Sequence, residues 1–256
     1  MKIIGCQLDI KWEDKETNHA NTRKLLKNAA PSRNSLIVLP EMFATGFSMN
    51  VAAIAEDGNR STQDFLSELA AEFNAFILAG VVTRGEDGRG LNQAVVYMPS
   101  GKELSRYSKL HPFSYAGETE HYAPGSGIET FVCNSFIVSP FICYDLRFPE
   151  AFRAATRQGA QVLVVIANWP AAREKHWMNL LKARAIENQA YVIGINRCGT
   201  DPNHVYSGRS QIIDPRGEIL ADAGSSEGWI DAQLDLQDLI NYRGEFPALE
   251  DMRNDL

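Results

Sequence analysis

The hydrophobic pattern of this chain runs twice through one order of elements, strand–helix–strand–helix–strand–strand, and that duplication restricts the available folds. In the first half, residues 2–9 read as a strand. Residues 16–29 read as a polar helix with Ala20, Leu25, Leu26 and Ala29 at its apolar positions. Ser35 to Leu39 is a short buried strand ending at Pro40. Ser61-Thr62-Gln63-Asp64 has the form of a capping box, and Phe65, Leu66, Leu69, Ala70 and Phe73 mark one face of the helix it opens. Phe76 to Val82 is the next strand, and Ala94 to Met98 pairs with Lys102 to Tyr107 across a Pro99-Ser100-Gly101 turn.

The second half follows the same plan. Phe136 to Ile142 is a strand, 147–158 a helix closed by Gly159, and Val162 to Ala167 a β-branched strand. Residues 173–189 form a helix with Trp177, Leu180 and Leu181 inward. Ala190 to Ile195 is a strand, and Arg209 to Ile213 with Glu218 to Ala221 make a hairpin about Pro215-Arg216-Gly217. Beyond this echo of the earlier Pro-x-Gly turn the sequence itself does not repeat. Two such layers bury their strand faces against each other and carry helices outside. The expectation is an α/β fold, a four-layer α-β-β-α sandwich forming one domain over 1–256. The tail from about 236 is poor in strand formers and is expected to wrap a neighbour.

Composition removes several function classes. The 256 residues can bury a sizeable core, and 45 % hydrophobic with 22 % charged residues is ordinary for a globular protein. A net charge of −7, with no block of Lys or Arg, argues against a nucleic-acid surface. No apolar run approaches a membrane span. Met1-Lys2-Ile3-Ile4-Gly5 enters a strand pattern directly, which leaves no room for a signal peptide and points to the cytoplasm. Cys6, Cys133, Cys143 and Cys198 form no Cys-x-x-Cys pair, so the expectation is a reducing compartment and no zinc framework.

Cys143 stands where the run Phe136 to Ile142 stops, just before a helix with Pro149 in its first turn. Ligands bind at such strand ends in α/β sheets, and a helix N-terminus favours thiolate over thiol. The plainer reading is that Cys143 packs as a small hydrophobe. An ordinary thiol needs a base or a cation to react. None of the five histidines (19, 111, 121, 176, 204) sits in a context that marks it as the partner. Glu41 emerges from the end of the buried strand Leu36 to Leu39, where a carboxylate is costly without a partner or a task. Lys109 lies just past another strand, in Tyr107-Ser108-Lys109-Leu110-His111-Pro112. A structural ion pair for Glu41 and a solvent-facing Lys109 are the bland alternatives.

Leu39-Pro40-Glu41-Met42, Tyr107-Ser108-Lys109-Leu110-His111 and the run from Cys143 to Glu150 (Cys-Tyr-Asp-Leu-Arg-Phe-Pro-Glu) resemble the three signature segments of the nitrilase superfamily of carbon–nitrogen hydrolases. They occur in the family's order, and the likeness covers nearly the whole chain, from the first strand to Arg253. It implies the α-β-β-α sandwich, a triad of Glu41, Lys109 and Cys143, and a second glutamate after the lysine. Glu118 matches that position by its distance to Pro124-Gly125, with Glu120 a nearby competitor. On this pattern Glu41 takes the proton of Cys143 and the thiolate attacks an amide carbonyl. Lys109 and the backbone N–H of Tyr144 then face the oxyanion. No metal or organic cofactor is needed. The resemblance also implies a homodimer, with segments such as Tyr242 to Arg253 reaching across.

Asn168-Trp169-Pro170, His176-Trp177 and the run Ala183 to Tyr191 look most like the omega-amidases, which hydrolyse the terminal amide of 2-oxoglutaramate or 2-oxosuccinamate. The runner-up is an amidase for a larger amide, such as deaminated glutathione, or a carbamoylase. Asn168 and Trp169, at a strand end, are candidates to line the pocket. Arg173 is the candidate anchor for a substrate carboxylate and His111 the second choice, although Arg173 could equally decorate a helix start. From other classes, a sandwich that binds partners without catalysis, or a redox sensor pairing Cys143 with Cys133, remain to be separated from the enzyme.

Overall fold

The computed structural model describes residues 1–56 and 58–253. Its first half contains β1 (Lys2–Gln7), α1 (Lys15–Ala29), β2 (Leu36–Val38), α2 (Val51–Ile54), α3 (Ser61–Phe73), β3 (Phe76–Arg84), β4 (Gly90–Tyr97) and β5 (Glu103–Ser108). The second contains α4 (Glu118–His121), β6 (Phe131–Cys133), β7 (Phe136–Ile142), α5 (Pro149–Arg157), β8 (Val162–Ala167), α6 (Glu174–Asn188) and β9 (Tyr191–Asn196). β10 (Cys198–Thr200), β11 (Val205–Ser207), β12 (Gln211–Ile213), β13 (Ile219–Asp222), β14 (Gly228–Gln233) and α7 (Leu236–Glu245) follow.

Two mixed six-stranded sheets result, in the orders β14-β1-β2-β3-β4-β5 and β13-β12-β9-β8-β7-β6. Period-two alternation assigns each side chain of the first sheet to a layer. Ile3, Leu36, Val38 and Leu78 join the cluster shared with the second sheet. Their neighbours Ile4, Ile37, Ile77 and Ala79 face the other way, onto Leu26 of α1 and Phe65, Leu66 and Leu69 of α3. In the second sheet β8 is buried along its whole length, which explains its uninterrupted Val-Leu-Val-Val-Ile-Ala run. Phe152 and Ala155 of α5 and Trp177, Leu181 and Ala185 of α6 belong to that same buried cluster. The architecture is the expected helix–sheet–sheet–helix sandwich. Pro140, inside β7, is tolerated because β6 stops pairing at Val138 and leaves that part of β7 without a paired strand on one side.

Several elements differ from the sequence expectation. β14 was not foreseen, because only Ile230 of its six residues is buried, too little to set a period. It nonetheless pairs antiparallel with the full length of β1, so residues distant in the chain complete the first sheet. The helix expected from 147 starts at Pro149, since Cys143–Arg147 forms a 3-10 turn. Residues 236–245 form a helix that was not foreseen and that makes contacts within its own chain. Asp235 caps α7 by accepting from the N–H of Gln237, Leu239 is buried, and Arg243 donates to the carbonyls of Gln189 and Ala160.

The capping box at 61–64 does not form either. Residue Arg60 precedes α3 without a side-chain cap. The buried carboxylate of Glu56 takes its place, accepting from the N–H of Thr62 at 2.6 Å and of Gln63 at 3.3 Å, with Lys15 at 3.4 Å. A helix N-terminus satisfied from outside its own sequence cannot be read from a local pattern. Burial opposes the charge on Glu56, but the hydrogen bonds from Thr62 and Gln63, together with Lys15, outweigh it and hold its carboxyl below the ordinary value. A lowered folded pKa means stability that is present above the unfolded value, about 4.3, and lost as pH falls through the folded one. The melting temperature should therefore drop on acidification in a way that Glu56→Gln removes. A wild-type-like acid slope in that variant would refute the assignment.

Candidate active site

The parallel strands β2, β3, β7 and β8 bring their C-terminal ends to one edge of the sandwich, and the signature residues collect there. Beyond β2, the N–H of Leu39 bonds the carbonyl of Leu78 and the N–H of Gly80 bonds that of Pro40, so Glu41 is carried forward on β3. Gly80 is required for this approach: a Cβ there would lie 2.5 Å from Glu41 Cα and 2.4 Å from Met42 N. Lys109 follows β5, and its N–H extends the ladder with β4 by donating to Asn92.

These groups make a buried ionic cluster. Glu41 and Glu118 are wholly buried and Lys109 is 1 % exposed. Lys109 Nζ lies 3.0 Å from Glu41 Oε1 and 2.8 Å from Glu118 Oε2. Asn92 Nδ2 donates to both carboxylates, at 2.7 and 3.0 Å. Glu41 Oε2 accepts from the backbone N–H of Asn168 at 2.8 Å, and Asn168 Nδ2 holds the Glu41 carbonyl at 2.7 Å. Burial disfavours the ammonium, but Glu118 and Glu41 outweigh that and raise the Lys109 pKa above its ordinary value. Glu120, the competitor of Glu118, is exposed.

Cys143 occupies a sharp bend with φ of +48°, a left-handed conformation rare for a residue with a side chain. Its Sγ lies 3.9 Å from the carbonyl oxygen of Asn168. The expected bias toward thiolate is not what this setting gives. Burial, then the charge of Glu41, push the thiol well above its ordinary value, against the opposing pull of Lys109. The short 3-10 turn that follows supplies less dipole than a full helix start. That direction favours the thiol over the thiolate at Cys143.

Cys143 lines a pocket together with Phe47, Phe113, Tyr144, Trp169, Tyr206 and the arginines Arg147 and Arg173, among others. The Arg173 guanidinium lies over the ring of Phe113 and that of Arg147 over Trp169. Asn168 and Trp169 both line the pocket, but the Asn168 amide is committed to Glu41 and Trp169 Nε1 to the carbonyl of Arg173. His111 is no pocket residue. Its Nδ1 lies 2.8 Å from Asp145 Oδ1 and its ring stacks on Phe148. Sequence reasoning missed Asn92, Asp145, Arg147 and Tyr206. Among the described residues no group of His, Cys, Asp and Glu is arranged to hold a metal ion, and no helix is long and apolar enough to cross a membrane.

Residues 5–244 match the family model described as Carbon-nitrogen hydrolase. This chain belongs to that family. An omega-amidase of Yersinia enterocolitica is 41 % identical over 98 % of this chain and 96 % of its own length. A 2-oxoglutaramate amidase of Bacillus subtilis is 35 % identical over 99 % and 98 %. A deaminated glutathione amidase of Synechocystis is 36 % identical over 91 % of each. A CN-hydrolase superfamily protein of Xanthomonas campestris, solved with an arsenic adduct in its active site, superposes with a TM-score of 0.93 at 32 % identity, covering 99 % of this chain and 97 % of that one. The carbon–nitrogen hydrolase described here is an amidase, in line with these relatives. Its resting thiol is directly testable. The ultraviolet thiolate absorbance that separates wild type from Cys143→Ala should be absent up to the ordinary cysteine value of 9.0, and a difference band at neutral pH would contradict the electrostatics.

Proposed function

We propose that this amidase hydrolyses the terminal amide of a short 2-oxo-acid amide, 2-oxoglutaramate or 2-oxosuccinamate, giving the 2-oxo acid and ammonia through a thioester on Cys143. The observation that carries the reading is the buried Lys109 held between Glu41 and Glu118 at the edge where Cys143 lines the pocket. Glu41 takes the thiol proton as sulfur attacks the amide carbon. Lys109 and the N–H of Tyr144 stabilise the oxyanion, each worth about 3 kcal/mol in the transition state. Collapse of the adduct breaks the C–N bond, and Glu41 returns the proton to the leaving nitrogen. Water, activated by Glu41 or Glu118, then cleaves the thioester. Intact-mass analysis with a slow substrate should show an acyl adduct on Cys143 and none on Cys6, Cys133 or Cys198. Lys109→Met should lower kcat about 10²- to 10³-fold, and near-normal turnover would mean a different triad.

The substrate class follows from the pocket and the relatives. The pocket beside Cys143 joins aromatic walls to two arginines, which suits a short half-amide that carries a carboxylate. Its apolar walls carry two guanidinium groups, and Arg173 is the proposed anchor for the distal carboxylate. Losing such a contact, worth about 1.5 to 3 kcal/mol, should raise KM about ten-fold or more. Arg173→Ala should thus narrow the gap between 2-oxo-acid amides and uncharged amides in an ammonia-release panel. If Arg147→Ala does so instead, the anchor is Arg147; equal losses for charged and neutral amides make Arg173 structural. Deaminated glutathione or N-carbamoyl amino acids as best substrates would overturn the reading. As a cytoplasmic homodimer of single-domain chains, the enzyme should scatter light as a dimer at micromolar concentration, and a monomer mass would refute that part.

A further inference from the structure

We propose that Asp145 is a positioning residue that fixes the separation of Lys109 and Cys143, a role that rests on the reading of Cys143 as nucleophile. Asp145 is wholly buried, and its hydrogen bonds divide between the two segments that carry the reacting groups. On the cysteine side, Oδ2 accepts from the N–H of Ile142 at 3.0 Å. That bond closes the left-handed bend at Cys143 from the residue before it to the residue two after it, and so holds a conformation that costs about 1 to 3 kcal/mol on its own.

On the lysine side, Oδ2 accepts from the Tyr107 hydroxyl at 2.8 Å, and Oδ1 from the His111 N–H at 2.9 Å with His111 Nδ1 at 2.8 Å. Tyr107 and His111 stand two residues before and two residues after Lys109. The Tyr107 oxygen also accepts from the N–H of Leu110, 3.3 Å away, which tightens the same turn. One carboxylate therefore clamps the loop around Lys109 to the bend around Cys143. The side chain touches neither the pocket nor the ionic cluster, and its effect on the reaction passes through geometry. A shift of about 1 Å between thiolate and oxyanion donor is enough to cost about 10²-fold in rate.

Asp145→Asn keeps the shape of the side chain but puts an amide N–H₂ against N–H donors. Per titrated active site, kcat should fall about 10²-fold while KM stays within about two-fold, because ground-state binding in the pocket is untouched. Tyr107→Phe should lower kcat several-fold alone and add nothing in the Asp145→Asn background, since both act through one clamp. A merely structural role would lower the melting temperature and the titratable fraction but leave kcat per site unchanged, and that outcome overturns the proposal, as do multiplicative effects in the double variant. If Asp145→Asn does not fold, Tyr107→Phe and His111→Gln carry the test with Asp145 intact, and unchanged kcat in both overturns it. Cys143→Ala separates the two readings. Turnover surviving in that variant removes the nucleophile and this proposal together. An inactive Cys143→Ala beside an unaffected Asp145→Asn removes the positioning role alone.

Discussion

A lysine ammonium buried between two carboxylates sets the terms for everything around it. Taking one such ion out of water costs several kcal/mol even after relaxation, so Lys109 can remain charged only where its partners are close and themselves well bonded. Glu118 and Glu41 supply the charge, and Asn92, the Asn168 backbone and the Phe113 N–H donate to their oxygens. With one lysine for two carboxylates, the cluster leans negative. Burial first, and that lean second, push the neighbouring thiol above its ordinary value. Base, cation and nucleophile are thus poised by burial and mutual charge together, and none of them requires an unusual side chain.

Holding that cluster is the task of the two sheets. Glu41, Lys109 and Cys143 each follow the end of a strand; Lys109 bonds the carbonyl of Asn92 in β4, and Pro40 beside Glu41 accepts from Gly80 in β3. Glu41 can lie over β3 because Gly80 has no side chain. The bend at Cys143 persists because its surroundings over-determine it: Asp145 from within and Arg184 of α6, which donates to the carbonyl of Leu146 at 2.7 Å. Rigid elements on both sides of the site explain how a strained residue and a desolvated ion pair coexist at one edge of the sandwich.

The sequence carried the sheets and the three signature residues well, since buried parallel strands announce themselves as apolar runs and a carboxylate at the end of such a run is conspicuous. What it concealed was polar and non-local. Asn92 looks like an ordinary polar residue at the start of β4, and only the fold reveals that it faces two carboxylates from distant segments. Asp145 reads as part of a turn, although its partners lie 34 and 38 positions away. Glu56 caps a helix that begins after it, so the pattern at 61–64 pointed to the wrong group. His111 was visible as a histidine near Lys109, but its neighbour Asp145, which takes it out of the pocket, was not.

The two non-enzymatic alternatives meet different physical obstacles. A redox pair of Cys143 and Cys133 would need Cα atoms within about 7 Å. Cys133 pairs opposite Phe136 at the start of β7, and Cys143 follows the end of that seven-residue strand. At about 3.3 Å per residue, roughly 20 Å of extended chain lies between them. Burial also raises Cys133 to about 12, so neither thiol is in its reactive form at rest. A sandwich that only bound partners faces an energetic objection. Apolar residues of similar volume would serve its stability as well as a buried Lys109–Glu41–Glu118 cluster or better, because the desolvation penalty can exceed the Coulombic gain. The cluster makes physical sense where its charge does chemistry, behind a pocket that Cys143 lines and joined to it through Asn168.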